Sequence, residues 1–235
     1  SSSVTEITKE EYENIENVDY LVIPSSVKKI EKQALMKMNE IRTYEGNPKW
    51  LPFIPTGKIR RIIIPDYVTE IEFKQFKNCV SLKEVCFMSK RNIKFIGNMP
   101  DELKHIRKIE CFQELLTNKF LFEPLKENLK EIKILGTPTI LHKNSFYSFK
   151  QLEDILIPTS LTRIETEAIV NCPKLQRLII PENVKIIEKN SIEECDHLKT
   201  FKCPHHLLEN LPKEQIVELE ITSSTSKELK GNEIK

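Results

Sequence analysis

The feature that most constrains this chain is a 23-residue repeat. "ILIPTSLTRIETEAIVNCPKL" (155–175) and "LIIPENVKIIEKNSIEECDHL" (178–198) are nearly the same phrase, one unit apart. Three apolar columns keep this phase over four units: Leu129, Leu152, Leu175 and Leu198; then Ile132, Ile155, Leu178 and Phe201; then Ile134, Ile157, Ile180 and Cys203. Self-similarity at a period of about 20–50 residues marks a stacked array, in which no unit can bury its apolar face alone.

Toward the N-terminus the frame continues through Ile106, Leu82, Ile59, Met38 and Val18. These head the pairs Ile109/Cys111, Val85/Phe87, Ile62/Ile64, Ile41/Thr43 and Leu21/Ile23. Toward the C-terminus it reaches Ile216 and Leu219/Ile221, giving about ten turns. Two apolar residues spaced by one lie on one face of a strand. Proline closes several of these pairs, at Pro24, Pro65, Pro158, Pro181 and Pro204. It cannot donate to a sheet ladder, so it marks a strand end, and it argues against helical repeats. Further inward anchors follow on the return, such as Leu161/Ile164 with Ile169, and Val184/Ile187 with Ile192. The expectation is an α/β solenoid of mostly short parallel β, one strand per coil, with a sheet about 45 Å long.

The phrases "LVIPSSVKKIEKQAL", "IIIPDYVTEIEFKQF", "ILIPTSLTRIETEAI" and "LIIPENVKIIEKNSI" resemble leucine-rich repeats of the BspA-like type, over residues 18–222. That resemblance implies a leucine-rich-repeat solenoid that acts in protein interaction or adhesion, with no catalytic residue to carry over. The stretches 44–58 and 90–129 lack the Ile-Pro phrase, so coil geometry there is left open. Residues 1–17 are expected to form an N-terminal cap. Thr8 and Glu11 have capping-box spacing, and Tyr12, Ile15 and Val18 share a helical face, which places a short helix over 8–16 against the alternative of a loose tail. Residues 223–235 are polar and read as a flexible tail.

Charge and motifs exclude several function classes. Thirty-six Lys+Arg against 35 Asp+Glu leave a net charge of +1, which gives no field for nucleic acid, even with the basic clusters "KIRR", "SKRNIK" and "KHIRK". No apolar stretch approaches the ~18 residues of a membrane span. The first twenty residues show no signal-type stretch, which slightly favours the cytoplasm and leaves the cell surface open. No nucleophile motif is evident, and an enzyme, a cofactor and a catalytic residue are not expected. Cys79, Cys172 and Cys195 share one column, and Cys111 and Cys203 take second inward strand positions, so cysteine serves as a small apolar residue. Cys172 and Cys195, on neighbouring coils, could approach disulfide distance. Cys195, His197, Cys203, His205 and His206 lie close in sequence, but Cys195 and Cys203 point inward on different sides of the coil, so no metal site is assigned.

The candidate site is the outward side of the strands. Between each inward pair one side chain points away from the core: Val22, Arg42, Ile63, Cys86, Glu110, Lys133, Leu156, Ile179, Lys202 and Glu220. Its apolar members group as Ile63/Cys86 and Leu156/Ile179, with charge between. A contiguous exposed apolar patch often marks an interface, although single aliphatics also tolerate exposure on strands. The reading is a non-enzymatic module that binds a protein partner through this face. A structural or adhesive surface protein and a homo-oligomerising scaffold are the alternatives.

Overall fold

The computed structural model describes residues 4–204, 206–207 and 218–222. Ten strands form one parallel sheet, one strand per coil and in chain order. They are β1 (Tyr20–Val22), β2 (Thr43–Glu45), β3 (Arg61–Ile64), β4 (Glu84–Phe87) and β5 (Lys108–Cys111). The series continues with β6 (Glu131–Ile134), β7 (Asp154–Leu156), β8 (Arg177–Ile179), β9 (Thr200–Pro204) and β10 (Glu218–Thr222). Ile132 pairs with Ile155, Ile155 with Leu178, and Leu178 with Phe201, so the sequence columns are rungs of one ladder. Each column stacks on itself, and Leu129, Leu152, Leu175, Ile132 and Leu178 are fully buried.

Local chemistry explains the repeated phrase. In Ile-Pro-x-x-Val the proline ends the strand, and its carbonyl accepts a hydrogen bond from the amide three residues on. Val27 donates to Pro24 and Val68 to Pro65, each at 3.2 Å, and Val184 to Pro181 at 3.0 Å. The Cys-x-x-Leu phrase closes in the same way: Leu175 donates to the Cys172 carbonyl at 3.0 Å and Leu198 to that of Cys195 at 3.1 Å. Coils 6 to 8 carry two further parallel sheets on their return. One contains Ile140–Leu141, Arg163–Ile164 and Ile186–Ile187, the other Phe146–Tyr147, Ile169–Val170 and Ile192–Glu193. Corners between these sides fall in register at left-handed residues, Asn144, Glu167 and Asn190 in one column. Left-handed backbone is uncommon outside glycine and best tolerated by asparagine. Here the first two of these amides are held by the next coil, Asn144 donating to the Glu167 carbonyl and Glu167 to that of Asn190, both at 2.9 Å.

The two stretches without the Ile-Pro phrase turn largely with helical backbone, although Lys94–Ile96 in the second is a strand parallel to Glu70–Glu72. Coil 2 uses a 3-10 helix, Pro48–Phe53, whose first turn is capped by the Asn47 side chain accepting from the Lys49 amide. Coil 5 uses the 3-10 helix Gln113–Thr117 followed by the α-helical turn Lys119–Phe122, capped by Asn118.

Coil 2 also corrects the phase expected there. Ile41 and Thr43 are not the inward strand pair, because Leu21 pairs with Tyr44 and Tyr44 with Ile62. Ile41 takes the head position that Met38 was expected to fill; Val18 to Ile41 is then a full 23-residue step, and Ile41 to Ile59 a short one of 18. Tyr44 is fully buried and donates to the Asn47 carbonyl at 2.8 Å. Its ring occupies space that two aliphatics fill in other coils, and this requires Gly46, where a Cβ would lie 2.6 Å from the Tyr44 hydroxyl. One large residue beside a glycine thus replaces the usual pair, and that substitution hides the frame.

At the N-terminus a single helical turn, Lys9–Tyr12, lies inside the expected 8–16 span. The Thr8 hydroxyl donates to the Glu11 carboxylate at 2.9 Å rather than capping a backbone amide. Glu6–Ile7 also forms a strand, parallel to Lys29–Ile30 and in the repeat's own register, which buries Ile7 on the first coil. The expected tail 223–235, the anchor Ile216 and His205 lie outside the described residues, as do the side chains of β10, including Glu220.

Candidate functional site

The outward face of the ten-stranded sheet carries two ladders of side chains. Alternation along a strand sends the first and third residues of each outward. The third-position ladder runs Val22, Glu45, Ile63, Cys86, Glu110, Lys133, Leu156, Ile179 and Lys202, with register pairs such as Ile63 with Cys86, Cys86 with Glu110, and Ile179 with Lys202. Glu45 therefore stands where Arg42 was expected; Arg42 precedes β2 and pairs with Asp19 at 3.5 Å. The first-position ladder runs beside it: Arg61, Glu84, Lys108, Glu131, Asp154 and Arg177. Reading only the residue between each inward pair leaves this second ladder out, although it follows from the same alternation.

The first ladder decides how open the third is. Arg61, on β3, donates to Glu84 at 2.8 Å and reaches Glu110, on β5, at 3.2 Å. Cys86 lies on β4, between them, and the guanidinium and carboxylate lie over it. Cys86 is consequently only 4% exposed and Glu110 only 8%, so two residues expected on an open face are covered. The Cys86 thiol also donates to the Met88 sulfur at 3.4 Å.

Glu110 is the hub of this end. Lys108 approaches it at 3.7 Å and Lys133 at 3.9 Å, while Lys108 pairs more closely with Glu131, at 2.7 Å. Burial pushes the Glu110 carboxyl up, but the Arg61 hydrogen bond and the charges of Arg61, Lys133 and Lys108 outweigh it and hold the group below the usual glutamate value. Burial, and next the Glu110 charge, push the Cys86 thiol up to about 11.

At β7 and β8 the arrangement differs. Arg177 pairs with Asp154 inside the first ladder and crosses nothing. Leu156 and Ile179, on adjacent rungs, stay 40% and 44% exposed. Lys133 and Lys202 bracket them in the same ladder. Of the two apolar groups expected from sequence, Leu156/Ile179 is open, whereas Ile63 is half-buried and Cys86 buried. Val22 is half-exposed beside Tyr20, whose hydroxyl donates to Glu45.

The repeat carried by this geometry matches the family described as BspA type Leucine rich repeat region, in six copies over residues 1–50, 52–110 and 116–228. The chain belongs to that family. Solved structures similar to this BspA-type chain include a leucine rich cell surface protein from Faecalibacterium prausnitzii, 13% identical, covering 94% of this chain and 84% of that one, with a TM-score of 0.35. A leucine-rich repeat protein from Bacteroides ovatus is 16% identical over 87% of this chain and 66% of that one, with a TM-score of 0.35. The pneumococcal vaccine antigen PcpA is 16% identical over 85% and 67%, with a TM-score of 0.33. No curated protein matches the sequence.

Five cysteines of this BspA-type chain, Cys79, Cys111, Cys172, Cys195 and Cys203, are core residues, and Cys86 is the one on the outward face. All six are buried and unbridged. Cys172 and Cys195 stack on neighbouring coils with their thiols in contact, and the thiol of Cys172 is pushed up by that contact and by burial. Burial also pushes Cys79 up to about 12 and Cys203 up to about 11. Near the C-terminal end, His206 meets the Val184 carbonyl at 3.2 Å, and Cys195 and Cys203 are fully buried. Among the described residues no helix is long and apolar enough to cross a membrane.

Proposed function

We propose that this chain is a non-enzymatic protein-binding module that meets its partner with the outward face of the long sheet, centred on β7 and β8. The observation that carries the reading is the uncovered Leu156/Ile179 pair. Elsewhere on this face the apolar position at Cys86 is roofed by charged side chains, and the other open aliphatic of the ladder, Val22, lies apart from the pair on the first strand. Family membership supports the same class of role, interaction or surface adhesion. Burying two such aliphatics against a partner contributes a few kcal/mol, at about 25 cal/mol per Å² of apolar area removed from water.

The test is the double variant Leu156→Glu/Ile179→Glu. Solvent-facing changes typically cost less than ~0.5 kcal/mol, so the melting temperature should stay within a few degrees of the parent, while burying two carboxylates at a contact opposes binding. Pull-down from native cells followed by mass spectrometry should then lose the proteins that the parent chain captures. Light scattering on the same pair reports self-association: a drop in mass only for the variant would make the partner a second copy. An intact variant that captures the same proteins and keeps the same mass would overturn the reading.

A further inference from the structure

We infer that the free edge of β1 is a second docking site, which takes an extended, basic segment of a partner protein as an added parallel strand. It is independent of the Leu156/Ile179 pair, whose nearer strand lies six rungs away, about 29 Å along the sheet. In the coils that follow, two adjacent amides at the strand entry donate to one carbonyl of the coil before. Arg42 and Thr43 donate to Asp19 at 2.9 and 3.0 Å, Arg60 and Arg61 to Arg42 at 2.8 and 3.1 Å, and Lys83 and Glu84 to Arg60 at 2.9 and 3.0 Å. In coil 1 the same place belongs to Asp19 and Tyr20, and no described carbonyl accepts from either amide. β1 is the first strand of the sheet, with β2 on one side only. Ile23 donates to the Glu45 carbonyl of β2 at 2.8 Å, so Leu21 and Ile23 serve β2, and the ladder groups of Tyr20 and Val22 point away from it. A row of unpaired amides and carbonyls is a template for another strand.

The core is unfinished at the same edge. Val18 and Leu21 are half-buried, whereas their counterparts Ile41/Tyr44 and Ile59/Ile62 are fully buried. The repeat's own phrase completes both ladder and core: apolar residues at the first, fourth and sixth places of a segment, stacked on Val18, Leu21 and Ile23. Charge selects the residues between them. Glu6, Glu10, Glu11, Glu13, Glu16 and Asp19 share residues 4–19 with a single cation, Lys9. Lys29 pairs with Glu6, Lys9 with Glu13 at 3.4 Å and Arg42 with Asp19 at 3.5 Å. Glu10, Glu11 and Glu16 have no cationic partner among the described residues. The complement of this end is therefore a strand that carries lysine or arginine between its apolar places.

The experiment titrates two short synthetic peptides into the isotopically labelled full chain and follows its backbone amides. Both have isoleucine at the first, fourth and sixth places; one has lysine at the second and third, its twin glutamate. The basic peptide should shift the amides of Asp19, Tyr20 and Val22, slow the exchange of the first two with solvent, and spare β7 and β8. The acidic twin should bind about tenfold more weakly, or by 1.4 kcal/mol. In the Glu10→Lys/Glu16→Lys chain, whose exposed changes should leave the melting temperature within a few degrees of the parent, that order should reverse. No shift with either peptide, shifts confined to β7 and β8, equal binding of the twins, or no reversal in the charge-swapped chain overturns the inference. If the Asp19 and Tyr20 amides of the chain alone exchange slowly and speed up on dilution, the edge is taken by a second copy, and the partner assigned to it is rejected. None of these outcomes depends on the Leu156→Glu/Ile179→Glu variant, so this site and the proposed function stand or fall separately.

Discussion

Arg61 lies two strands from Glu110, and its guanidinium reaches that carboxylate only by passing above the thiol of Cys86. Removing the roof should open the sulfur. In Arg61→Ala, we expect iodoacetamide to label Cys86 in the native chain, while the parent stays unlabelled there; equal protection would show that Met88, 3.4 Å from the thiol, is the effective cover. The hub also sets an acid dependence. Glu110 titrates below its ordinary value of 4.5 in the folded chain, so its contribution is fully present above 4.5 and is lost as pH falls through the lower folded value. Hydrogen bonds to charged groups contribute about 1.5–3 kcal/mol, and the partial exposure of Arg61 brings this toward the lower end. Glu110→Gln should thus melt below the parent near neutral pH, and the gap should close in acid. A gap independent of pH would mean that the cost is one of packing.

The individual coil is where the sequence was most readable and where it misled. Strand positions, inward columns and the prolines follow from apolar spacing, because a column one residue out of phase would put aliphatics into water on every rung. In coil 2 that logic lost its grip. Ile41 and Met38 are both apolar and both buried, and the strand's inward places are taken by Tyr44 and Gly46, so spacing alone does not choose the phase. The outward face was half legible: alternation names the residues that point out, but whether a long charged side chain folds across its neighbour depends on ion-pair geometry two strands away. At this scale the columns make a direct prediction. Leu175 is fully buried between two well-matched coils, and Leu175→Ala should cost ~2–5 kcal/mol, read as a large fall in melting temperature; an unchanged value would show that the column is not load on the core.

Across the whole molecule, coils touch their neighbours along a line, so stability is close to a sum over coils and their interfaces. The three parallel sheets of coils 6 to 8 tie those coils together on every side, whereas coil 5 returns through Gln113–Thr117 and Lys119–Phe122 without a strand. If the array nonetheless unfolds as one unit, damage on either side of coil 5 must be felt by both halves. Leu82 and Leu175 are fully buried head residues four rungs apart, about 19 Å along the axis, and share no coil. Changes that far apart usually add within about 0.5 kcal/mol. For one cooperative unit, the double variant Leu82→Ala/Leu175→Ala should therefore lose the sum of the two single costs in a urea titration, with a single transition and an unchanged slope. If coil 5 is instead a break, Leu82→Ala should lower only an early transition and Leu175→Ala only a late one, and the curve should split in two. The helical return of coil 5 would then be a joint between two semi-independent stacks, and the open Leu156/Ile179 pair would lie wholly within the second.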